Sequence, residues 1–210
     1  LTKKLIEKYS RQIVLKDIGI SGQKKIINSK VLIVGVGGLG CPVVDYLSRS
    51  GVGSLGIADH DKVNLSNIHR QSLYNSKDVG KFKVEAIRNK IKKINSSVRL
   101  KLFKNKINKD NIKNIIKNFD IIVDGSDNFQ TKFLLNKFSI KFKKKLIVGA
   151  ISKFDGHIFS FDFKIKKTPC LKCFYQSDPS DEILDCESEG IMGPLAGIIG
   201  SIQSMQVLKT

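Results

Sequence analysis

One stretch constrains this chain's fold more than any other: VLIV at 31–34 followed by GVGGLG at 35–40. Four consecutive apolar residues, mostly β-branched and without polar alternation, read as a strand covered on both faces, as in a parallel sheet flanked by helices. Gly35, Gly37 and Gly40 then form GxGxxG, and Pro42 can open a helix running through Val43, Val44, Tyr46 and Leu47 to Gly51. SLGIAD at 54–59 supplies a second strand. Strand, glycine turn, helix and strand together make a unit of the mononucleotide-binding type.

The βα alternation continues downstream. Residues 81–94 carry Val84, Ile87, Ile91 and Ile94 at helical spacing, 98–103 read as a strand, and a lysine-rich helix over 111–118 leads into a doubly buried strand at 120–124. A helix over 130–142 and a strand at 146–150 follow, and HIFSFDF at 157–163 alternates with period two, as expected of an antiparallel partner at one sheet edge. Short helices over 3–9 and 20–28 precede the first strand. With no repeat or linker in between, residues 1–210 read as one α/β domain of the Rossmann-like, doubly wound kind, with a mostly parallel sheet and an antiparallel edge extension. The apolar helical pattern over 195–209 stops without a cap, so the domain is expected to be truncated at its C-terminus.

Composition narrows the partners. No apolar run approaches the ~20 residues needed to span a bilayer, and the N-terminal LTKKLIEKYSRQ lacks the apolar core of a signal peptide, so a cytoplasmic protein without membrane contact is expected. The formal net charge is +18, from 37 basic and 19 acidic side chains. All the basic residues but Arg11, Arg49, Arg70, Arg88 and Arg99 are lysines, scattered among Asn and Ile along the whole chain. That pattern describes a solvated basic surface rather than a nucleic-acid interface, and it favours an acidic protein partner or a nucleotide.

In this context the glycine turn points to phosphate. Glycines let backbone N–H groups approach a phosphate closely, and Asp59 at the end of the second strand can accept hydrogen bonds from ribose hydroxyls. The turn alone does not separate a dinucleotide from ATP. The segment DHDKVNLSNIHRQ at 59–71 is too polar for a core and gathers Asn67, Arg70 and Gln71 at the carboxyl end of a strand, with Lys83 following in GKFK at 80–83. An Arg and a Lys converging there can neutralise a triphosphate. A nicotinamide-dependent dehydrogenase would explain the glycines and Asp59 but leaves Arg70, Lys83 and Asp127 without a purpose.

Five ordered motifs carry a resemblance: YSRQI (9–13), GVGGLG (35–40), LSNIHRQ (65–71), GKFK (80–83) and GSDN (125–128). In order and spacing they resemble the ThiF/MoeB/HesA family of ubiquitin-activating-like adenylyltransferases, over nearly the whole chain. The resemblance implies ATP-dependent adenylylation of the C-terminal Gly-Gly carboxylate of a ubiquitin-like sulfur carrier of the ThiS or MoaD type, releasing pyrophosphate, for thiamine or molybdenum-cofactor sulfur transfer. It implies that Gly35, Gly37, Gly38 and Gly40 line the nucleotide site with Asn67 and Gln71, that Asp59 takes the ribose, and that Arg70 and Lys83 hold the phosphates. Asp127 would be the Mg²⁺ ligand, with Asp124 a competitor and a helix cap the non-catalytic alternative for Asp127. Arg11 would reach the ATP of a neighbouring subunit, making a homodimer part of the catalyst. A relative that activates a carboxylate on tRNA is the alternative within the same fold.

The cysteines divide by position. Cys170 and Cys173 form a CxxC that such proteins pair with a second CxxC to close a Zn²⁺ site, and here the second pair would have to lie beyond the chain end. Cys186, in DCESEG at 185–190, matches a position that can engage the activated carrier through sulfur, although its acidic neighbours raise a thiol pKa. Cys41 directly behind the glycine turn reads as helix packing. His60, His69 and His157 have no metal-like spacing, and none is given a catalytic role.

Overall fold

The computed structural model describes residues 1–175 and 190–210. Three helices, α1 (Lys3–Lys8), α2 (Ser10–Ile13) and α3 (Gly19–Asn28), lead into β1 (Lys30–Val34), α4 (Gly40–Ser50) and β2 (Ser54–Ala58). Then come α5 (Lys83–Ile94), β3 (Arg99–Phe103), α6 (Ile112–Ile116), β4 (Ile121–Asp124), α7 (Phe129–Lys141), β5 (Lys145–Ser152), β6 (Asp155–Asp162), the short α8 (Leu171–Phe174) and α9 (Gly193–Lys209).

The strands form one sheet in the order β3-β2-β1-β4-β5-β6. All neighbours are parallel except β5 and β6, which pair antiparallel from Lys145↔Asp162 to Ser152↔Asp155. This is the expected doubly wound sheet with its antiparallel edge. Alternate residues of β1 serve two cores, as an unalternating apolar run requires. Val31 and Ile33 pack with Val43, Leu47 and Ile87 of α4 and α5, whereas Leu32 and Val34 pack with Ile112, Ile116 and Leu135 of α6 and α7. At roughly 1.5–3 kcal/mol for each fully buried aliphatic side chain, these two layers dominate the folding energy. The edge strands β3 and β6 are only partly buried.

The starts of α4 and α5 differ from expectation. α4 begins at Gly40, ahead of Pro42; a proline in the first turn sacrifices no intrahelical hydrogen bond. α5 begins at Lys83 rather than at residue 81, because 81–83 pair first with 61–63: Val63 N–H donates to Lys81 O (2.9 Å) and Lys83 N–H to Asp61 O (2.9 Å). That short ladder ties the end of β2 to the start of α5.

The N-terminal helices dock at the amino ends of the strands. Gln12 and Gln23 Nε2 both donate to Ser50 O at the end of α4 (3.1 and 3.0 Å). Gly51 closes α4 at φ +88° with the Tyr9 ring against it, where a Cβ would collide with the ring.

Candidate functional site

Strand order reverses between β1 and β4, and a cleft of about 620 Å³ opens above that point, at the carboxyl ends of the strands. This is where ligands of open α/β sheets bind. Each wall is the loop that leaves one strand: Gly35–Leu39 after β1, Asp59–Asp61 after β2, Asn105–Ile107 after β3, Gly125–Asn128 after β4, and Ala150 and Ile151 at the end of β5.

The glycine turn is held before any ligand arrives. Val36 N–H donates to Asp59 Oδ2 (2.9 Å), while Val36 O accepts from Tyr74 Oη (2.9 Å) and Cys41 Sγ (3.4 Å). Burial pushes the Cys41 thiol up to about 12, so it serves as a neutral donor and not as a nucleophile. Burial, with Cys41 beside it, also keeps the Tyr74 phenol protonated. Asp59 accepts a second backbone bond from Asp61 N–H (2.9 Å). Burial raises its carboxyl above the ordinary range, against the opposing charge of Lys83 and its two N–H donors.

Lys83 is nearly buried, and its Nζ meets Asp61 Oδ2 at 2.8 Å. Burial alone would raise the Asp61 carboxyl, but the hydrogen bond and charge of Lys83 outweigh it and leave the group below its usual range. Arg70, partly exposed, spends Nη1 on Ser66 O (2.8 Å) and on His69 Nε2 (2.9 Å) and has no carboxylate partner among the described residues. Asn67 is 6% exposed and accepts from Asn64 N–H (3.0 Å), which fixes the 3₁₀ turn Leu65–Asn67 that aims Arg70 and Gln71 at the cleft. Gln71 is 3% exposed, and its Oε1 is buried without a hydrogen-bond partner among the described residues. An orphaned acceptor of this kind costs roughly 1–3 kcal/mol until something supplies a donor.

On the opposite wall the two candidate carboxylates separate. Asp124 is fully buried and committed: Oδ1 accepts from Ser126 N–H (2.9 Å) and Oγ (2.6 Å), and Oδ2 faces Lys132 Nζ (3.3 Å). It does not compete for a cleft ligand. Asp127 is exposed on the cleft, touched at 3.2 Å by Asn128 Nδ2. The cap of α7 is Asn128, whose Oδ1 accepts from Thr131 N–H (2.8 Å), so Asp127 is not the cap.

Gly35, Gly37, Gly38, Asp59, Asn67, Arg70, Gln71, Lys83 and Asp127 thus surround one cleft, with Gly40 packed directly behind the turn against Gly35. Arg11 lies elsewhere, exposed on α2 at the amino end of the sheet, beyond the full length of α4 from its own cleft. Cys170 and Cys173 sit beside α7 with Sγ atoms 3.6 Å apart. Burial raises the Cys170 thiol, yet hydrogen bonds from the Asn136 side chain and from Cys173 outweigh it and lower the thiol overall. Two thiols make half of a tetrahedral zinc set, and Cys41 is packed far off behind the glycine turn. Cys186 lies outside the described residues. Asp59, His60 and Asp61 bring ligand atoms within 4.8 Å of one another, but their carboxylates are already taken up by backbone N–H groups and Lys83.

Four participants carried no assigned role in the sequence reading: Asp61, Tyr74, Lys132 and the 105–107 loop. Lys132 left no signal in its own segment, because the buried residues of α7 around it include Thr131, Asn136 and Ser139 and mark no apolar face.

Comparison with known proteins agrees with this geometry: the ThiF family pattern matches residues 9–210. The chain belongs to the ThiF family. Among ThiF-related curated proteins, it is 39% identical over 205 residues to adenylyltransferase and sulfurtransferase MOCS3 of Dictyostelium discoideum, covering 97% of this chain and 48% of that protein. The Drosophila willistoni protein of the same name is 40% identical over 210 residues, covering 100% and 46%. The chain therefore spans about half the length of the curated relatives it matches. Solved structures share the ThiF fold: E. coli MccB crystallised with ATP superposes with a TM-score of 0.82 at 26% identity (96% of this chain, 62% of MccB). PaaA superposes with a TM-score of 0.81 at 25% identity (100% and 66%). No helix among the described residues is long and apolar enough to cross a membrane.

Proposed function

We propose that this chain binds MgATP in the cleft and adenylylates the C-terminal Gly-Gly carboxylate of a ubiquitin-like sulfur-carrier protein. The observation that carries this reading is the facing of two cations, Arg70 and Lys83, and one free carboxylate, Asp127, across a cleft floored by a glycine turn. A hydride-transfer enzyme has no use for that set.

In the proposed reaction a carrier carboxylate oxygen forms a bond to the α-phosphorus of ATP. The bond from that phosphorus to its bridging oxygen breaks, and pyrophosphate leaves with the electron pair. No proton moves, so charge placement replaces acid–base catalysis. Arg70, free of a carboxylate partner, is available to the phosphate oxygens, and Lys83 is held at the cleft by Asp61. Gln71 Oε1, buried and unpartnered, accepts from the nucleotide, and Asp59 receives the ribose. The exposed Asp127 carboxylate suits a hard cation beside phosphates; Mg²⁺ held there would offset the charge that builds on the departing pyrophosphate. MOCS3 relatives are named for adenylyl and sulfur transfer, which suits a carrier in molybdenum-cofactor or thiamine sulfur chemistry.

Arg11, exposed on α2 and absent from the lining of its own cleft, would serve a second subunit's ATP, in a homodimer joined through exposed apolar residues such as Ile198, Ile202 and Met205 on one face of α9. Cys170 and Cys173 would supply two ligands to a structural zinc completed by a further cysteine pair, and Cys186 would engage the activated carrier. The reduced thiols suit the cytoplasm.

Carrier-dependent exchange of labelled pyrophosphate into ATP tests the reading. Exchange should appear with a ThiS-like or MoaD-like carrier and vanish with Asp127→Ala or with a carrier lacking its Gly-Gly tail. Silence with every such carrier, or tighter binding of NADH than of ATP in a fluorescence titration, would defeat it.

A further inference from the structure

Lys132 is among the largest fully buried side chains, at 1% exposure, in the interior of α7. A lysine there loses its hydration, and replacing a buried ion pair by apolar groups of similar size is often neutral or stabilising. Stability alone therefore does not account for it, and its partners do.

Lys132 Nζ donates to Ser126 O (2.7 Å) and Gly149 O (2.7 Å) and pairs with Asp124 Oδ2 (3.3 Å). It thus joins two separate pieces of backbone, the turn after β4 and β5, to the side chain of the last residue of β4. The turn 125–128 has further fixed points. Gly125 N–H donates to Val34 O (2.8 Å), Asp124 Oδ1 takes Ser126 N–H, and Gln203 Nε2 of α9 donates to Asp124 O (2.8 Å). Among the described residues, Asp127 itself has only the long contact from Asn128 Nδ2. Its direction is therefore set by the peptides on either side, and the carbonyl immediately before it is the one that Lys132 holds.

The geometry points to Lys132 as the positioning residue for Asp127: it clamps Ser126 O to Gly149 O so that the carboxylate stands on the cleft in a fixed orientation. Lys132 touches no substrate, since its ammonium lies beneath the turn. The inference rests on the proposed function, in which Asp127 is the Mg²⁺ ligand. Residues that orient metal ligands typically change metal affinity 10–100-fold when removed.

The test uses the full chain carrying Lys132→Met together with Asp124→Asn. This pair removes both buried charges at once and keeps an Asn Oδ1 to accept from Ser126. Isothermal titration with ATP, in Mg²⁺ and again in EDTA, separates metal-linked affinity from the rest. ATP binding in EDTA should stay within about twofold of the parent, while the gain in affinity on adding Mg²⁺ should shrink about tenfold. Hydrogen exchange at the Ser126 amide should quicken. Lys132→Gln with Asp124→Asn, which restores one donor and serves as the second variant should the methionine one fail to fold, should lose about threefold, a share of the same effect.

A folded variant with an undiminished Mg²⁺ response would reduce Lys132 to a structural residue and overturn the inference while sparing the proposed function. A parent protein whose ATP affinity ignores Mg²⁺ would overturn both.

Discussion

Two glycines of one turn should respond to the same methyl group in opposite ways. Gly35 sits at φ +83°, and a Cβ built on it would lie 2.7 Å from the Gly125 carbonyl carbon and oxygen and 2.9 Å from Ser126 N. Those neighbours are backbone of the turn that carries Asp127 and have no rotamer to escape into. Forcing alanine into a left-handed conformation costs about 1–2 kcal/mol, and overpacking a tight contact adds about 1–3. Gly35→Ala should therefore destabilise by about 2–5 kcal/mol. At roughly 2–4 °C per kcal/mol for a chain of this size, melting should fall by about 4–20 °C. A Cβ on Gly37 meets nothing closer than Gln71 Nε2 at 3.5 Å, an ordinary contact, and points into the cleft. Gly37→Ala should melt within about 2 °C of the parent yet hold ATP less well. If the methyl displaces one charge-assisted hydrogen bond to phosphate, at about 1.5–3 kcal/mol, affinity falls about 10- to 150-fold. Differential scanning calorimetry and ATP titration on both variants decide the matter. Equal melting losses, or unimpaired ATP binding by Gly37→Ala, would refute the assignment of Gly35 to loop packing and Gly37 to the ligand.

Further consequences concern the surroundings of the turn. Lys83 holds the Asp61 carboxyl below its usual range against the effect of burial. That contribution to stability is complete above the unfolded value of about 4 and disappears as pH falls through the lower folded value, so Asp61→Asn should show a smaller stability difference between pH 6 and pH 3 in urea titrations; an unchanged difference would contradict the pairing. Cys41, with its thiol near 12, should resist a disulfide reagent at pH 8 in the native protein and react only on unfolding, and Cys41→Ala should retain pyrophosphate exchange. Removing the α7 cap with Asn128→Ala should cost about 1 kcal/mol, read as a melting loss of roughly 2–4 °C; no loss would show that Thr131 N–H finds another acceptor.

The sheet was legible because each central strand is recognisable from its own residues. Val31 to Val34 and Ile121 to Val123 are apolar without alternation, so burial on both faces follows from the run alone, and the alternation at 157–163 marks an edge. The cleft was legible for a related reason. Asn67, Arg70 and Gln71 crowd into five residues beyond a strand's carboxyl end, and a segment that polar has no other place to go. Asp124 and Asp127 were indistinguishable at that level. Both follow the same strand, and what separates them is the ammonium of Lys132 arriving from α7.

The features left unread share one property: two elements must already be packed before they have meaning. Asp61 meets Lys83 across 22 positions, and only because residues 61–63 form a ladder with 81–83, a pairing that displaces the start of α5. Lys132 looks like one more surface lysine in a chain rich in them until β5 brings Gly149 O to its ammonium. A buried lysine is costly unless its partners converge, so its position among the buried residues of α7 becomes informative once the parallel register of β4 and β5 is known. Local pattern therefore locates the groups that line the cleft. The groups that aim them emerge from the contacts between strands and helices: Asp61 beside Lys83, Tyr74 behind the glycine turn, and Lys132 beneath the turn that carries Asp127.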